Sequence, residues 1–112
     1  MEKRHQERKS LNFEDIQLYA DFFSGMQYRF YGHIMNISPN GLCIMLLNTY
    51  QASPPNTKGN LHLIYMKKIR SVPATIRWID RPNHFIRYVG IEVNPEELKP
   101  ILQEFFPNKN IF

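Results

Sequence analysis

Hydrophobic and polar residues alternate with a period of two along most of this chain, and the period changes only near its end. Ile16, Leu18, Ala20 and Phe22 alternate with Gln17, Tyr19 and Asp21, as in a strand with one buried face. Ser24-Gly25 marks a turn. Tyr28, Phe30, Gly32 and Ile34 repeat the alternation, so the two segments form a predicted hairpin. Asn36 to Gly41 interrupts the pattern with Pro39-Asn40-Gly41, a turn composition. Leu42, Ile44 and Leu46 define a third strand. A loop from Asn48 to Asn60, carrying Pro54-Pro55 and Gly59, leads to a fourth through Leu61, Leu63 and Tyr65. Val72, Ala74, Ile76 and Trp78 give a fifth, with Thr75 and Arg77 on its other face. Pro73 places that strand at an edge or a bulge, because proline cannot donate to a ladder. Arg81-Pro82-Asn83 turns the chain into a sixth strand from Phe85 to Val93, with Val89, Ile91 and Val93 on one face.

The period then becomes helical. Asn94-Pro95-Glu96-Glu97 supplies a cap residue, a proline at the first helical position and an acid three residues after the cap. Leu98, Ile101, Leu102, Phe105 and Phe106 form one apolar stripe. Pro100 is expected to kink or restart this helix, and Pro107 to end it. Residues 1–12 are polar and aperiodic and read as a flexible arm. The expected fold is mainly β: a small six-stranded antiparallel barrel over residues 13–112, plugged by its C-terminal helix. No internal repeat interrupts it.

Composition agrees with one folded domain. The chain has 112 residues, 43% hydrophobic and 13% aromatic, which excludes wholesale disorder. Its single cysteine, Cys43, permits no internal disulfide and fits a reducing cytoplasm. No apolar run is long enough to span a bilayer, and the charged start Met1-Glu2-Lys3-Arg4-His5 has no apolar segment behind it. A cytoplasmic protein without membrane insertion is therefore expected. The net charge is +4, and six cations against one carboxylate lie between Lys67 and Arg87. That asymmetry suits an anionic partner, or simply a solvated basic face.

Two short motifs carry the candidate chemistry. Arg4 and Arg8 are four residues apart, roughly 13 Å in an extended arm and on one face in a helical turn. A guanidinium fork bonds phosphate or the O6/N7 edge of guanine in two places, and its flat face stacks on a purine. Asn36 and Ser38 supply a carbonyl, an amide and a hydroxyl two residues apart on one strand side. Gly41 allows positive φ and close approach to a flat base. The pair of motifs suits guanine plus phosphate. Taken alone, Asn36 and Ser38 are better read as capping their own turn; the specificity lies in the conjunction of the two motifs. Metal-ligand spacing is absent among His5, His33, His62 and His84, and no phosphate-binding glycine loop or nucleophile elbow occurs. No enzyme activity and no cofactor are expected.

In order and spacing these residues resemble the PilZ domain, the bacterial receptor module for cyclic di-GMP. Arg4 and Arg8 match its R-x-x-x-R arm, and Asn36, Ser38 and Gly41 its [D/N]-x-S-x-x-G motif, here with Asn in place of the commoner Asp. Ala74-Thr75-Ile76-Arg77-Trp78 is similar to the family's strand ending in tryptophan, and Tyr88-Val89-Gly90-Ile91-Glu92-Val93 to its last strand. The resemblance implies a cyclic di-GMP site whose mobile half is Arg4 and Arg8 and whose fixed half is Asn36, Ser38 and Gly41. The arm would order as the ligand binds, and the changed surface would regulate an unidentified downstream protein. Two other functions compete: a PilZ-like protein-interaction module without nucleotide binding, and a small nucleic-acid-binding barrel using the basic stretch and aromatics such as Tyr28, Tyr31 and Phe85.

Overall fold

The computed structural model describes residues 10–26, 28–47 and 54–111. Among the described residues are seven strands and one helix: β1 (Leu11–Asn12), β2 (Leu18–Ser24), β3 (Tyr28–Ser38), β4 (Gly41–Leu46), β5 (Lys58–Tyr65), β6 (Lys68–Asp80), β7 (Tyr88–Val93) and α1 (Pro95–Phe105). All pairings are antiparallel, in the order β1-β3-β2-β5-β6-β7-β4, and β3 pairing with β4 closes a six-stranded barrel with β1 as an extra strand. The alternation read from the sequence is the barrel wall: Leu18, Ala20 and Phe22 point inward with Phe30, Ile34, Ile44, Leu61, Leu63 and Ile76. Phe22 stacks on Phe30 at a ring separation of 5.0 Å.

The helix plugs one end. Asn94 caps it, its side chain accepting from the Glu96 amide at 2.9 Å. Leu98, Leu102 and Phe105 are buried, and Tyr65 meets Phe105 and Phe106 at 5.7 and 4.5 Å. Arg70 of β6 donates from Nε and Nη2, along one guanidinium edge, to the two carboxylate oxygens of Glu104 of α1, tying plug to wall. The expected restart at Pro100 does not occur; α1 is continuous through it. Pro100 and Glu96 are both exposed, so the Glu96 carbonyl, which loses its helical donor to the proline, faces water.

Four other expectations are corrected. Leu11 and Asn12, read as part of the arm, form β1, pairing with Ile37 and Asn36. Ile16 precedes its expected strand and packs against the core from outside it. The last strand begins at Tyr88 and not at Phe85. The Asn83 side chain accepts from the amides of Phe85 and Ile86 at 2.7 and 2.9 Å, a local turn that competes with strand pairing. Trp78, expected on the inward face of its strand, is 46% exposed. Pro73 sits where β6 is locally an edge: it lies opposite Asn60 of β5, and pairing with β7 begins only at Ala74.

Candidate functional site

Two bulges build the site. In β3 the register with β4 slips between Ile34 and Asn36. Strict alternation from Phe30, Gly32 and Ile34 would have sent Asn36 and Ser38 into the core. The extra residue inverts the phase, as a bulge does, so Ile37 is buried instead and Asn36 is exposed. In β6 the register with β7 slips between Ile76 and Trp78. Arg77 and Trp78 are consequently both exposed, immediately after buried Ile76. This is why the expected inward Trp78 faces out.

The outward residues then fall into two rows across the barrel. One runs Asn12, Asn36, Cys43, Gly90, Trp78. The next runs Ser38, Gly41, Glu92, Thr75. Gly41, Cys43 and Gly90 within them are small, and the residues around these three carry polar or aromatic side chains, so the surface dips there. The dip is a cleft of about 330 Å³, lined on one side by Asn36 and Ser38 and on the other by Arg77 and Trp78, with Gly41, Cys43 and Gly90 between. That volume is within the range of small-molecule sites. Ser10, which immediately precedes β1, also lines it.

The glycines set the depth. A Cβ on Gly41 would come within 2.8 Å of the Ile91 carbonyl oxygen, and one on Gly90 would collide with the Trp78 indole. The expected positive φ at Gly41 is not found; Gly25 is the glycine with positive φ. Close approach between strands is thus the reason for glycine at 41.

The polar groups differ in how fully they are engaged. The Ser38 hydroxyl donates to the Gly41 carbonyl at 3.3 Å, a long bond that closes its own turn. The Asn40 carbonyl accepts from the Val93 amide at 3.0 Å, fixing that turn against β7. The Asn36 side chain has no hydrogen-bond partner among the described residues. Arg77 donates to Glu92 and, at 3.0 Å, to the Asn56 side chain. The Cys43 thiol is pushed up to about 11, first by burial and then by the Asp80 carboxylate, so it remains protonated at neutral pH.

Asn36, Ser38 and Gly41 therefore meet in one cleft, whereas Arg4 and Arg8 lie outside the described residues. Sequence reasoning did not place Arg77, Gly90 and Glu92 at the site, and it turned Trp78 the wrong way. A glycine inside the pattern of the last strand was the available signal, since it marks a close approach of another group. Among the described residues, no three His, Cys, Asp or Glu side chains are grouped to hold a metal ion, and no helix is long and apolar enough to cross a membrane.

A small antiparallel barrel with a terminal helical plug and an outer cleft at the β3–β4 turn is the fold of the PilZ domain, and this chain has that fold. The PilZ domain of Escherichia coli YcgR, solved with cyclic di-GMP, superposes with a TM-score of 0.70 over 95% of this chain and 93% of that one, at 7% identity. Bacillus subtilis MotI/DgrA, an inhibitor of motility, gives 0.61 over 96% of this chain at 15% identity. Borreliella burgdorferi PlzA, in complex with cyclic di-GMP, gives 0.52 over 93% at 13% identity. This chain spans about half the length of the latter two, 51% and 54%. No family model and no curated protein sequence matches the chain.

Proposed function

We propose that this protein is a receptor for cyclic di-GMP that works by binding rather than catalysis, in the cytoplasm, and presents its ligand-loaded surface to a downstream protein. The observation that carries this reading is the outward turn of Asn36 and Ser38 at the β3 bulge, which sets an amide without a partner among the described residues opposite an exposed indole across one cleft. Two of the proteins sharing the fold are solved with cyclic di-GMP. Asn36 offers its carbonyl to the N1–H and N2–H edge of guanine, and Trp78 offers a face on which the base stacks.

Arg4 and Arg8 complete the site from the preceding segment, with residues 1–10 acting as the arm. Ser10 lines the cleft, and two residues of chain span at most about 7 Å, six about 22 Å. Both guanidinium groups are therefore within reach of a dinucleotide seated there. The ordering of each arm residue costs roughly 1–2 kcal/mol, and charge-assisted bonds of roughly 1.5–3 kcal/mol offset it.

Isothermal titration calorimetry tests the reading. Cyclic di-GMP binds the wild type and cyclic di-AMP does not compete. Arg4→Ala and Arg8→Ala each abolish the heat while the melting temperature of the free protein is unchanged. The absence of heat and of thermal shift at saturating cyclic di-GMP would sink the reading in favour of a protein-interaction module. Binding of single-stranded DNA that falls steeply with salt would favour the nucleic-acid alternative.

A further inference from the structure

A different face of the barrel carries an apolar row that the nucleotide site does not use. Register places Ile69 of β6 beside Ile64 of β5, Ile64 beside Tyr19 of β2, and Tyr19 beside His33 of β3, all pointing outward. Tyr31 stacks on Tyr19 at 5.8 Å, nearly parallel. Ile69 is 55% exposed and Tyr31 37%. Beside Tyr19 and Ile64 of the row a second cleft, about 400 Å³, opens between the segment before β2 and the tip of the β5–β6 hairpin. Ile16, Tyr19, Ile64, Tyr65 and Met66 line it, with Asp15 and Gln17 of the segment before β2 completing the wall away from the two lysines.

Met66 is the residue that points to use. Tyr65 pairs with Lys68, so Met66 and Lys67 form a two-residue hairpin loop. Such loops place Gly, Asn or Asp where φ is positive. Met66 occupies that position at φ +56 and leaves its side chain 79% exposed. Neither backbone geometry nor core packing explains a long apolar side chain there. An outlier of this kind is accounted for by what the side chain meets outside the fold. Lys67 and Lys68 follow it, exposed, and neither forms an ion pair among the described residues, although the charge of Lys68 also reaches the Glu104 carboxylate.

We propose that the row Tyr19–Ile64–Ile69, with Tyr31 and Met66, is a docking surface for a segment of another protein that carries apolar anchors beside acidic residues. The anchors enter the Met66 cleft and lie along the row, and the acids meet Lys67 and Lys68. Charge selects this occupant over a second copy of the chain, which carries the same +4 and would bring its own lysine pair to the contact. The proposal does not depend on nucleotide in the other cleft.

Selection of a phage-displayed random peptide library against the full chain tests it, with individual synthetic peptides then titrated by fluorescence polarisation. Enriched peptides are expected to combine aliphatic or aromatic residues with Asp or Glu. Their affinity falls by roughly tenfold or more, as at a binding hot spot, for Ile69→Asp and for Met66→Asp. The second variant guards against misfolding, because Asp tolerates positive φ better than Met does. Phe85→Asp, at an aromatic that is 93% exposed elsewhere, retains binding. Three results overturn the proposal: no enrichment, enriched peptides lacking acids, or equal binding to the row variants. Sedimentation of the wild type as a dimer that Ile69→Asp dissolves would assign the face to a second copy and overturn it as well.

Discussion

The indole of Trp78 lies directly on the backbone of Gly90, its cross-strand partner, and leaves no room for a methyl group there. The contact holds an aromatic face at the edge of the cleft without burying it. Gly90→Val should therefore displace the indole and destabilise the barrel by about 1–3 kcal/mol, as overpacking does. Trp78 is the single tryptophan, so its emission reports the displacement directly. A red shift in the native spectrum and a lower urea midpoint are expected. An unchanged spectrum would mean that the ring does not rest on Gly90.

Deleting Met35 should remove the β3 bulge without inverting the strand. Asn36 then follows Ile34 directly, so strict alternation still turns Asn36 and Ser38 outward and Ile37 inward. The loss falls on the half-buried Met35 itself and on its carbonyl, which accepts from the amide of buried Phe13 at 2.8 Å. Leaving that amide without its partner costs roughly 1–3 kcal/mol, a fraction of the stability of a small domain, about 5–15 kcal/mol. A lower melting temperature with the cooperative transition kept is expected in circular dichroism; loss of the transition would mean that the bulge itself holds the barrel together.

Asn36→Asp should tighten cyclic di-GMP binding. A carboxylate accepts two guanine donors at once, and charged acceptors are about twice as strong as neutral ones. A gain of roughly tenfold in the calorimetric Kd corresponds to about 1.4 kcal/mol. Weaker binding by the aspartate variant would show that Asn36 acts through its amide donor instead.

The Arg70 guanidinium holds the Glu104 carboxyl below its ordinary value of 4.5, chiefly by hydrogen bonding; desolvation opposes this, and the charges of Arg70 and then Lys68 add to it. The folded state therefore binds this proton less readily than the unfolded chain. The associated stability is fully present above 4.5 and is lost as pH falls through the lowered folded value. Glu104→Gln should flatten the fall of the urea midpoint below pH 4.5, and Arg70→Gln should flatten most of it, leaving the share that Lys68 supplies. An unchanged fall in Arg70→Gln would mean that the two residues do not act as a pair.

Most of the barrel wall could be read from the chain because burial on one face writes itself as alternation. Leu18, Ala20 and Phe22, or Leu42, Ile44 and Leu46, are inward as the pattern requires. The site is where that reasoning breaks. Bulges insert one residue and leave almost no mark in hydrophobicity. Ile37, apolar at an out-of-phase position, was the one trace in β3. Trp78, apolar and in phase with Ile76, pointed the wrong way. Strand register was equally hidden, and with it the Arg77–Glu92 ion pair, whose members are fifteen residues apart. Asn36, Ser38 and Gly41 could be named from residue type and spacing. Their shared cleft required the inverted phase, and β1, at two residues, is too short to show any period.

That two-residue strand governs more than a pair of ladder positions. By pairing Asn12 with Asn36 it moors the chain at the rim of the cleft, with Ser10 already in its lining. On the proposed reading, groups carried a few residues before Ser10 would meet the cleft as parts of the same molecule, at a local concentration on the order of millimolar set by tether length alone. β1 is in this sense a dosing device. A glycine-serine insertion after Ser10 would dilute the arginines that precede it while leaving the barrel, the cleft and both bulges as they are.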